Sequence, residues 1–507
     1  MGKKSKRARS KQHQDDSSSQ RVAPAARRAE GETVETLRFQ DPFVEEIVED
    51  DVVEDVDVDV DVDVDVDGDV VDTDEGHDKN QPDQDVELIQ SWHPLMGGTP
   101  PEELELDPSA YKLYHTLSPE WPCLSFDFLR DSLGDARQRF PHTLQAVIGT
   151  QADLPQNNQV TVLQLSDLSK LPQEDDMEDE GWNDNNDDNS SSSSSDDDLD
   201  LDPVLEHYSL PHYGGVNRVR AMPQHQDIVA TWSDVGKVHL YDVGFLRARF
   251  SETGGKTTST VPPSKNPVFS YGGHGMEGFA LDWSLVNRGY LATGDNNGAI
   301  HLWTPQEGGD MHYEVAPAYH SEGGASVEEI QWSPSEATVL CAAESGGHLC
   351  VYDTRAPRRS MLRQLLHPGS DVNVASWNRH VTNLLATGSD DGTLSVWDLR
   401  HFGSAATPKP LARFACHSTP ITSVEWHPTD ESMVAVSDTV GAYIYDLSVE
   451  EDTTASSTTL VADIPPQLLF CHSGSQEFKE LHWHPQISSC IMTTAYSGFS
   501  VFIPSNL

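Results

Sequence analysis

Five tryptophans, Trp283, Trp332, Trp377, Trp426 and Trp483, each stand in the phrase apolar-x-Trp-[Ser/Asn/His], at steps of 49, 45, 49 and 57 residues. A period near 45 constrains the fold more than any other feature, because a unit of that size is one small sheet that buries its faces only against its neighbours. Each Trp is followed 19 or 20 residues later by an aromatic that closes an alternating strand: Trp303, Tyr352, Trp397, Tyr445 and Phe502. A histidine opens each unit, at His274, His320, His367, His417 and His472. Upstream, His212 with VNRVRAMP and IVATWSDVGKVHLYDV forms another unit, and TLQAVIGT with QVTVLQLSDL forms one more. The expected fold is therefore all-β, a seven-bladed propeller. The segment CLSFDFL, with Leu124, Phe126 and Phe128, is predicted to precede blade one and to pair with the last blade, which removes the free sheet edges of an open ring.

The fifth unit is the most complete. It holds His367, Thr387, Asp391 before the turn Gly392, and Trp397, a set that can satisfy its own polar groups in a buried chain of hydrogen bonds. The third repeats it with His274, Thr293, Asn297 and Trp303. The fourth offers only Ala343 and Gly347, and the sixth offers Val440 at the turn, so those blades are expected to rely on packing.

Composition divides the chain. The formal charge is −50, yet residues 45–75 carry 17 carboxylates and residues 174–202 carry 14, with no Lys or Arg in either window. The run VVEDVDVDVDVDVDVDGDVVDTD alternates like a strand, but a ladder of carboxylates opposite valine alone cannot relieve its repulsion, so disorder is expected until a cationic partner neutralises it. Residues 1–90 are read as disordered, basic then acidic; 91–118 as an amino-terminal helix region; 119–507 as the propeller, with a disordered acidic insertion at 172–203. Ser190 to Ser195 within that insertion are candidate phosphate acceptors. Such a field repels nucleic-acid phosphates and anionic membranes and attracts basic proteins, which argues against direct nucleic-acid readout. The opening cluster Lys3, Lys4, Lys6, Arg7, Arg9 and Lys11 has the character of a nuclear-import signal. Cys123, Cys341, Cys350, Cys416, Cys471 and Cys490 form no C-x-x-C pair and read as reduced intracellular thiols. No apolar stretch is long enough to span a membrane.

Longer phrases carry a family signal. PEELELDPSAYKLYHTLSPEWPCLSFDFLRD resembles the amino-terminal helix and first strand of the histone-chaperone WD proteins. HYGGVNRVR, GHGMEGFALDWS, TGDNNGAIHLWTP, TSVEWHP, PPQLLF and KELHWHPQ look like the glutamate-rich, ribosome-assembly branch of that group. The resemblance implies a nucleolar factor of large-subunit ribosome biogenesis that escorts a basic ribosomal protein and also binds core histones. It also implies a client groove between a helix around Tyr111, Leu113, Tyr114 and Leu117 and a loop containing Asp463, Pro465 and Pro466, with Glu450, Glu451 and Asp452 keeping the loop acidic. Gln467 stands where histone-chaperone members often carry an acidic residue, which weakens the histone inference.

The remaining motifs point away from catalysis. Gly273, Gly275 and Gly278 spell G-x-G-x-x-G, but no helix follows, and Gly255, Lys256 and Thr257 lack the first glycine of a phosphate loop. His482 and His484 share a strand face without a third ligand, so no cofactor or metal is expected. No nucleophile elbow appears, and the chain is read as a non-enzyme. Tyr352-Asp353-Thr354-Arg355 and Trp397-Asp398-Leu399-Arg400 resemble the motif by which WD proteins dock on the cullin-4 ligase adaptor; otherwise they cap the third strands. Alternatives to the ribosomal escort are a chromatin histone chaperone and a substrate receptor of that ligase.

Overall fold

The computed structural model describes residues 37–40, 94–96, 106–172, 202–251, 266–306, 312–356, 359–403, 408–450 and 464–507. The acidic tract 45–75, all but the last residue of 174–202, the basic opening, and Gly255, Lys256 and Thr257 lie outside them. Seven antiparallel sheets form seven blades, six of four strands and one of five. The innermost strands are Cys123–Phe128, Val216–Met222, Ala280–Trp283, Val327–Trp332, Val372–Trp377, Ile421–Trp426 and Phe478–Trp483, for blades one to seven. The only α-helix among the described residues, α1 (Gly244–Phe250), follows the third strand of blade two.

Two expectations fail at the ring closure. Cys123–Phe128 does not pair with the last blade; it is the inner strand of blade one. The strand that closes the ring is Tyr111–Pro119, in place of the expected helix, and it pairs antiparallel with Gly498–Pro504, Tyr114 opposite Phe502 and Leu117 opposite Phe499. The helix signals are real but local. Asp107 caps the Ser109 N–H ahead of a Pro108–Ala110 single turn, and there the helical geometry stops. Beyond it Tyr111, Leu113 and Leu117 recur at odd positions, and Tyr114 is buried as well because both strand faces are covered, so the apolar positions also fit a helical spacing. Leu37–Gln40 adds a fifth strand, pairing with Thr116 to Pro119.

The residue before the closing aromatic of the inner strand explains part of the repeated phrase, in blades one, three, four and six. The carboxylates of Asp127, Asp282 and Glu425 and the amide oxygen of Gln331 accept backbone N–H groups of the next blade, at Ala221, Trp332, Trp483 and Trp377, over 2.7–2.9 Å. The indoles of Trp283, Trp426 and Trp483 donate back to Arg220, Ser376 and Glu425 carbonyls at 3.0, 3.0 and 3.2 Å. The inner strands of blades one to seven are thus stitched in succession at the end of the channel where the a–b loops begin.

The buried polar chains are more widespread than the sequence pattern implied. In blade five, Trp397 Nε1 donates to Thr387 Oγ1 at 2.8 Å, and Thr387 meets His367 Nε2 at 2.8 Å. Burial holds the His367 imidazole down at about 4, so it stays neutral. Asp391 sits outside this chain, accepting from Ser389 and from the Thr393 N–H. In blade three His274 Nε2 meets Thr293 at 2.8 Å and Trp303 donates to Thr293 at 2.9 Å, but the carboxylate on His274 Nδ1 is Asp295, at 2.9 Å, not Asn297. Burial pushes the Asp295 carboxyl up, and the His274 bond and two backbone amides outweigh it. Blades four and six are not held by packing alone. Tyr352 donates to Glu344 at 3.2 Å, and His417 pairs with Asp438 at 3.0 Å and with Tyr445 at 3.0 Å. Between blades six and seven, His472 Nδ1 on the outer strand of blade six bonds the Tyr111 hydroxyl at 2.9 Å, which ties the closing strand into the same scheme.

Candidate functional site

Antiparallel blades give the propeller two chemically different faces. The a–b and c–d connections open on one; the b–c turns and the d–a connections between blades open on the other. Every gap of described residues within the blades, from 173–201 to 451–463, falls in a c–d connection, so every b–c turn and every d–a connection is described.

The described connections of that face are acidic. Glu120, Asp153, Asp234, Glu322, Asp371, Asp390, Asp391 and Glu477 are exposed on its loops, and Glu277 and Glu328 are half-buried. The lysines beside them are Lys237 and Lys479, and Lys479 is already paired with Glu477 at 2.9 Å. Burial, followed by repulsion from Asp371 and Asp390, raises the Glu328 carboxyl above its ordinary range. Three exposed apolar side chains lie in adjoining connections: Tyr213, Val235 and Met276, at 62%, 39% and 50% exposure.

The a–b/c–d face mixes signs. Arg139, Arg249, Arg288, Arg355, Arg379 and Arg400 are interspersed with Asp135, Asp242, Glu336, Glu431 and Glu450. Both Tyr/Trp-Asp-x-Arg ends have one geometry: the Arg355 guanidinium forks onto Asp353 and that of Arg400 onto Asp398, each carboxylate also accepting its arginine's backbone N–H. The side-chain hydrogen bonds from the guanidinium hold both carboxyls low, Asp398 at about 2. The arginine side chains remain 72% and 68% exposed. They cap the third strands and still present a cation outward.

The four residues expected on the helix side of the client groove stand on the closing strand and are buried. Leu113 and Leu117 are 1% exposed and pack with blades one and seven, while Tyr111 and Tyr114 stack at 5.0 Å between ring centroids and pack against Phe470 and Phe502. These four residues hold the ring shut. Glu450 is exposed, Pro465 half-buried and Pro466 exposed; Glu451, Asp452 and Asp463 lie outside the described residues. Gln467 bridges the ends of that interval, its amide donating to the Val449 carbonyl at 2.9 Å while its own carbonyl accepts the Asp446 N–H.

The channel holds a charge cluster that sequence reasoning missed. Glu480 accepts from Arg218 and Arg220, each at 2.6 Å, and Arg218 also reaches Glu329 at 3.0 Å. His482 sits between Glu425 at 3.1 Å and Glu480 at 3.6 Å; burial alone lowers its imidazole, but the two carboxylates outweigh that and lift it to about 9. His484 faces elsewhere, its Nδ1 accepting the Gln486 and Ile487 N–H groups. The signal for this cluster is the presence of Arg, Glu and His on strands otherwise apolar. Among the described residues no group of three His, Cys, Asp or Glu side chains is arranged to hold a metal, and no helix is long and apolar enough to cross a membrane. Gly278 of the glycine motif is a blade joint, since a Cβ there would stand 2.2 Å from the Gly294 carbonyl oxygen.

Comparison with known proteins places this architecture. The family model of the histone-binding protein RBBP4 and its counterpart in the CAF1 complex matches residues 101–169, and the model of the WD domain, G-beta repeat, matches 361–398 and 408–440. The chain is 36% identical over 443 residues to ribosome assembly protein rrb1 of Schizosaccharomyces pombe, covering 85% of this chain and 87% of that one. It is 40% identical over 423 residues to protein HEAT STRESS TOLERANT DWD 1 of Arabidopsis thaliana, covering 80% and 89%. It is 38% identical over 412 residues to glutamate-rich WD repeat-containing protein 1 of Dictyostelium discoideum, covering 80% and 82%. The propeller, the matched closing segment and this coverage together mean that the chain belongs to the WD-repeat family of ribosome assembly protein rrb1 and the glutamate-rich WD repeat-containing proteins.

Proposed function

We propose that this chain is a ribosome-biogenesis factor of the nucleus and nucleolus that holds a basic large-subunit ribosomal protein before assembly and binds core histones as a second client. The observation that carries the reading is the b–c/d–a face, where, among the described residues, ten carboxylates outnumber the cations beside them, of which Arg363 and Lys479 are already paired with Glu322 and Glu477. Such a field accelerates and tightens association with a cationic partner and disfavours nucleic acid competing for it. The names of the relatives, a ribosome assembly protein and a histone-binding model over residues 101–169, agree with both clients. The role is that of a scaffold: the polar clusters are spent on stitching blades together rather than on placing a nucleophile beside a base. A second reading, docking on the cullin-4 ligase adaptor, is favoured by the exposed Arg355 and Arg400 on the opposite face.

Purification of the tagged full chain from cells at near-physiological salt, followed by mass spectrometry, tests the assignment. A large-subunit ribosomal protein with histones as minor partners is expected. Recovery of the ligase adaptor without either basic client would overturn it.

A further inference from the structure

Charge alone does not account for the acidic face, because three of its exposed apolar side chains stand on adjoining connections. Tyr213 follows His212, and Met276 lies two residues beyond His274; both histidines turn inward, His212 onto the Gly214 carbonyl at 2.8 Å and Thr231 at 3.1 Å, His274 onto Asp295 and Thr293. The neighbouring side chains are thereby left facing solvent on fixed backbone. Val235 lies between them at the tip of a hairpin turned by Gly236, whose φ is +74°. A Cβ on Gly236 would lie 3.3 Å from the Met276 carbonyl oxygen, and one on Gly214 would lie 3.0 Å from Val235 Cγ1, so the three connections abut. Single exposed apolar residues are ordinary, whereas a contiguous group rimmed by charge marks a contact surface. The rim is anionic: Asp234 adjoins Val235, Glu277 adjoins Met276 and is oriented by the Asn217 amide at 3.2 Å, and Asp153 lies in the turn whose Pro155 carbonyl accepts the Gly214 N–H. Among the described residues Lys237 is the cation beside it.

We infer that Tyr213, Val235 and Met276 form a subsite for one bulky apolar side chain, and that the preferred client segment carries a Leu, Met or aromatic residue flanked by Arg and Lys. This rests on the reading that a basic client docks on the acidic face, and adds the feature that separates a client from any polycation. The patch sits on preformed loops, so seating the apolar side chain requires little reordering, and the flanking cations meet Asp153, Asp234 and Glu277.

The experiment uses two labelled synthetic peptides titrated onto the full chain: one Arg- and Lys-rich with a central Leu, the other identical but with Ala there. The Leu peptide is expected to bind about tenfold more tightly, the effect of burying most of one such side chain. Y213A combined with M276S should remove that advantage and leave the Ala peptide unaffected, whereas Y496A, exposed on the same face in blade seven, should change neither. Both substituted side chains are exposed, so folding is preserved, and an unchanged thermal midpoint checks this. Equal affinity for the two peptides on the parent chain overturns the subsite while leaving the electrostatic reading intact. If instead neither peptide binds the parent chain at low salt, the docking reading fails and the subsite with it.

Discussion

The two faces of this propeller are built by one blade topology, yet one is a field of carboxylates and the other a mixture of arginines and acids. The difference shows where partner chemistry can vary without disturbing the fold. Inner strands and polar chains are spent on blade-to-blade contacts, and only the connections are free to carry charge. The acidic face has short connections, each held by a buried histidine or a tight turn; the opposite face carries every long insertion. Rigid charge on one side and long c–d segments on the other suit a client clamp and separate docking elements, respectively.

The largest effect should come from treating the closing strand as structure rather than as a groove. L117A is expected to destabilise the chain by about 2–5 kcal/mol, the usual range for truncating a buried leucine, seen as a drop in thermal or denaturant midpoint. A variant that kept full stability while losing client would restore the groove.

Next is the contrast between faces. Converting Asp234, Glu322 and Asp371 to Lys should weaken a basic client by about 100-fold at low salt and flatten the salt dependence of its dissociation constant, since like charges then face each other. The same number of reversals on the a–b/c–d face, at Glu336, Glu431 and Glu450, should leave the affinity nearly unchanged.

T387V leaves the His367 ring and the Trp397 indole unpaired in blade five, at a cost of about 1–3 kcal/mol in equilibrium unfolding. Acid should act in the same direction. Burial lowers His142, His239, His301 and His367 to about 4, below the ordinary 6.5, so the unfolded chain binds more protons between those values. Stability from these groups is present above about 6.5 and is lost as pH falls toward 4. His482 behaves oppositely: raised to about 9, it contributes below 6.5 and loses that contribution as pH rises through 9, so H482Q should reduce the alkaline slope of the unfolding midpoint.

The smallest effect is E450K alone. This exposed residue should shift stability by less than about 0.5 kcal/mol and affinity by less than about threefold.

Blade number and blade spacing were legible because Trp, His and the closing aromatic repeat at fixed intervals, and each repeat must bury itself on the next. Acidic character was legible as composition, but its place was not, since sequence cannot tell which connections share a face until the strand order is known. Tyr111 to Leu117 misled because a strand covered on both sides loses its alternation and mimics a helix. The histidine partners Asp295 and Asp438 were missed for a positional reason. Asp438 ends the second strand and Asp295 follows it directly, whereas Asn297 and Val440 occupy the turn that the pattern drew attention to.

Hydrogen exchange of the full chain, measured with and without its purified basic client, decides whether the acidic face is where the client docks. Slowed exchange is expected in the connections 212–216, 233–237 and 272–279, with no change around 353–356 and 398–403. Protection confined to those latter segments, with the acidic face exchanging as freely as in the unbound chain, would contradict docking there.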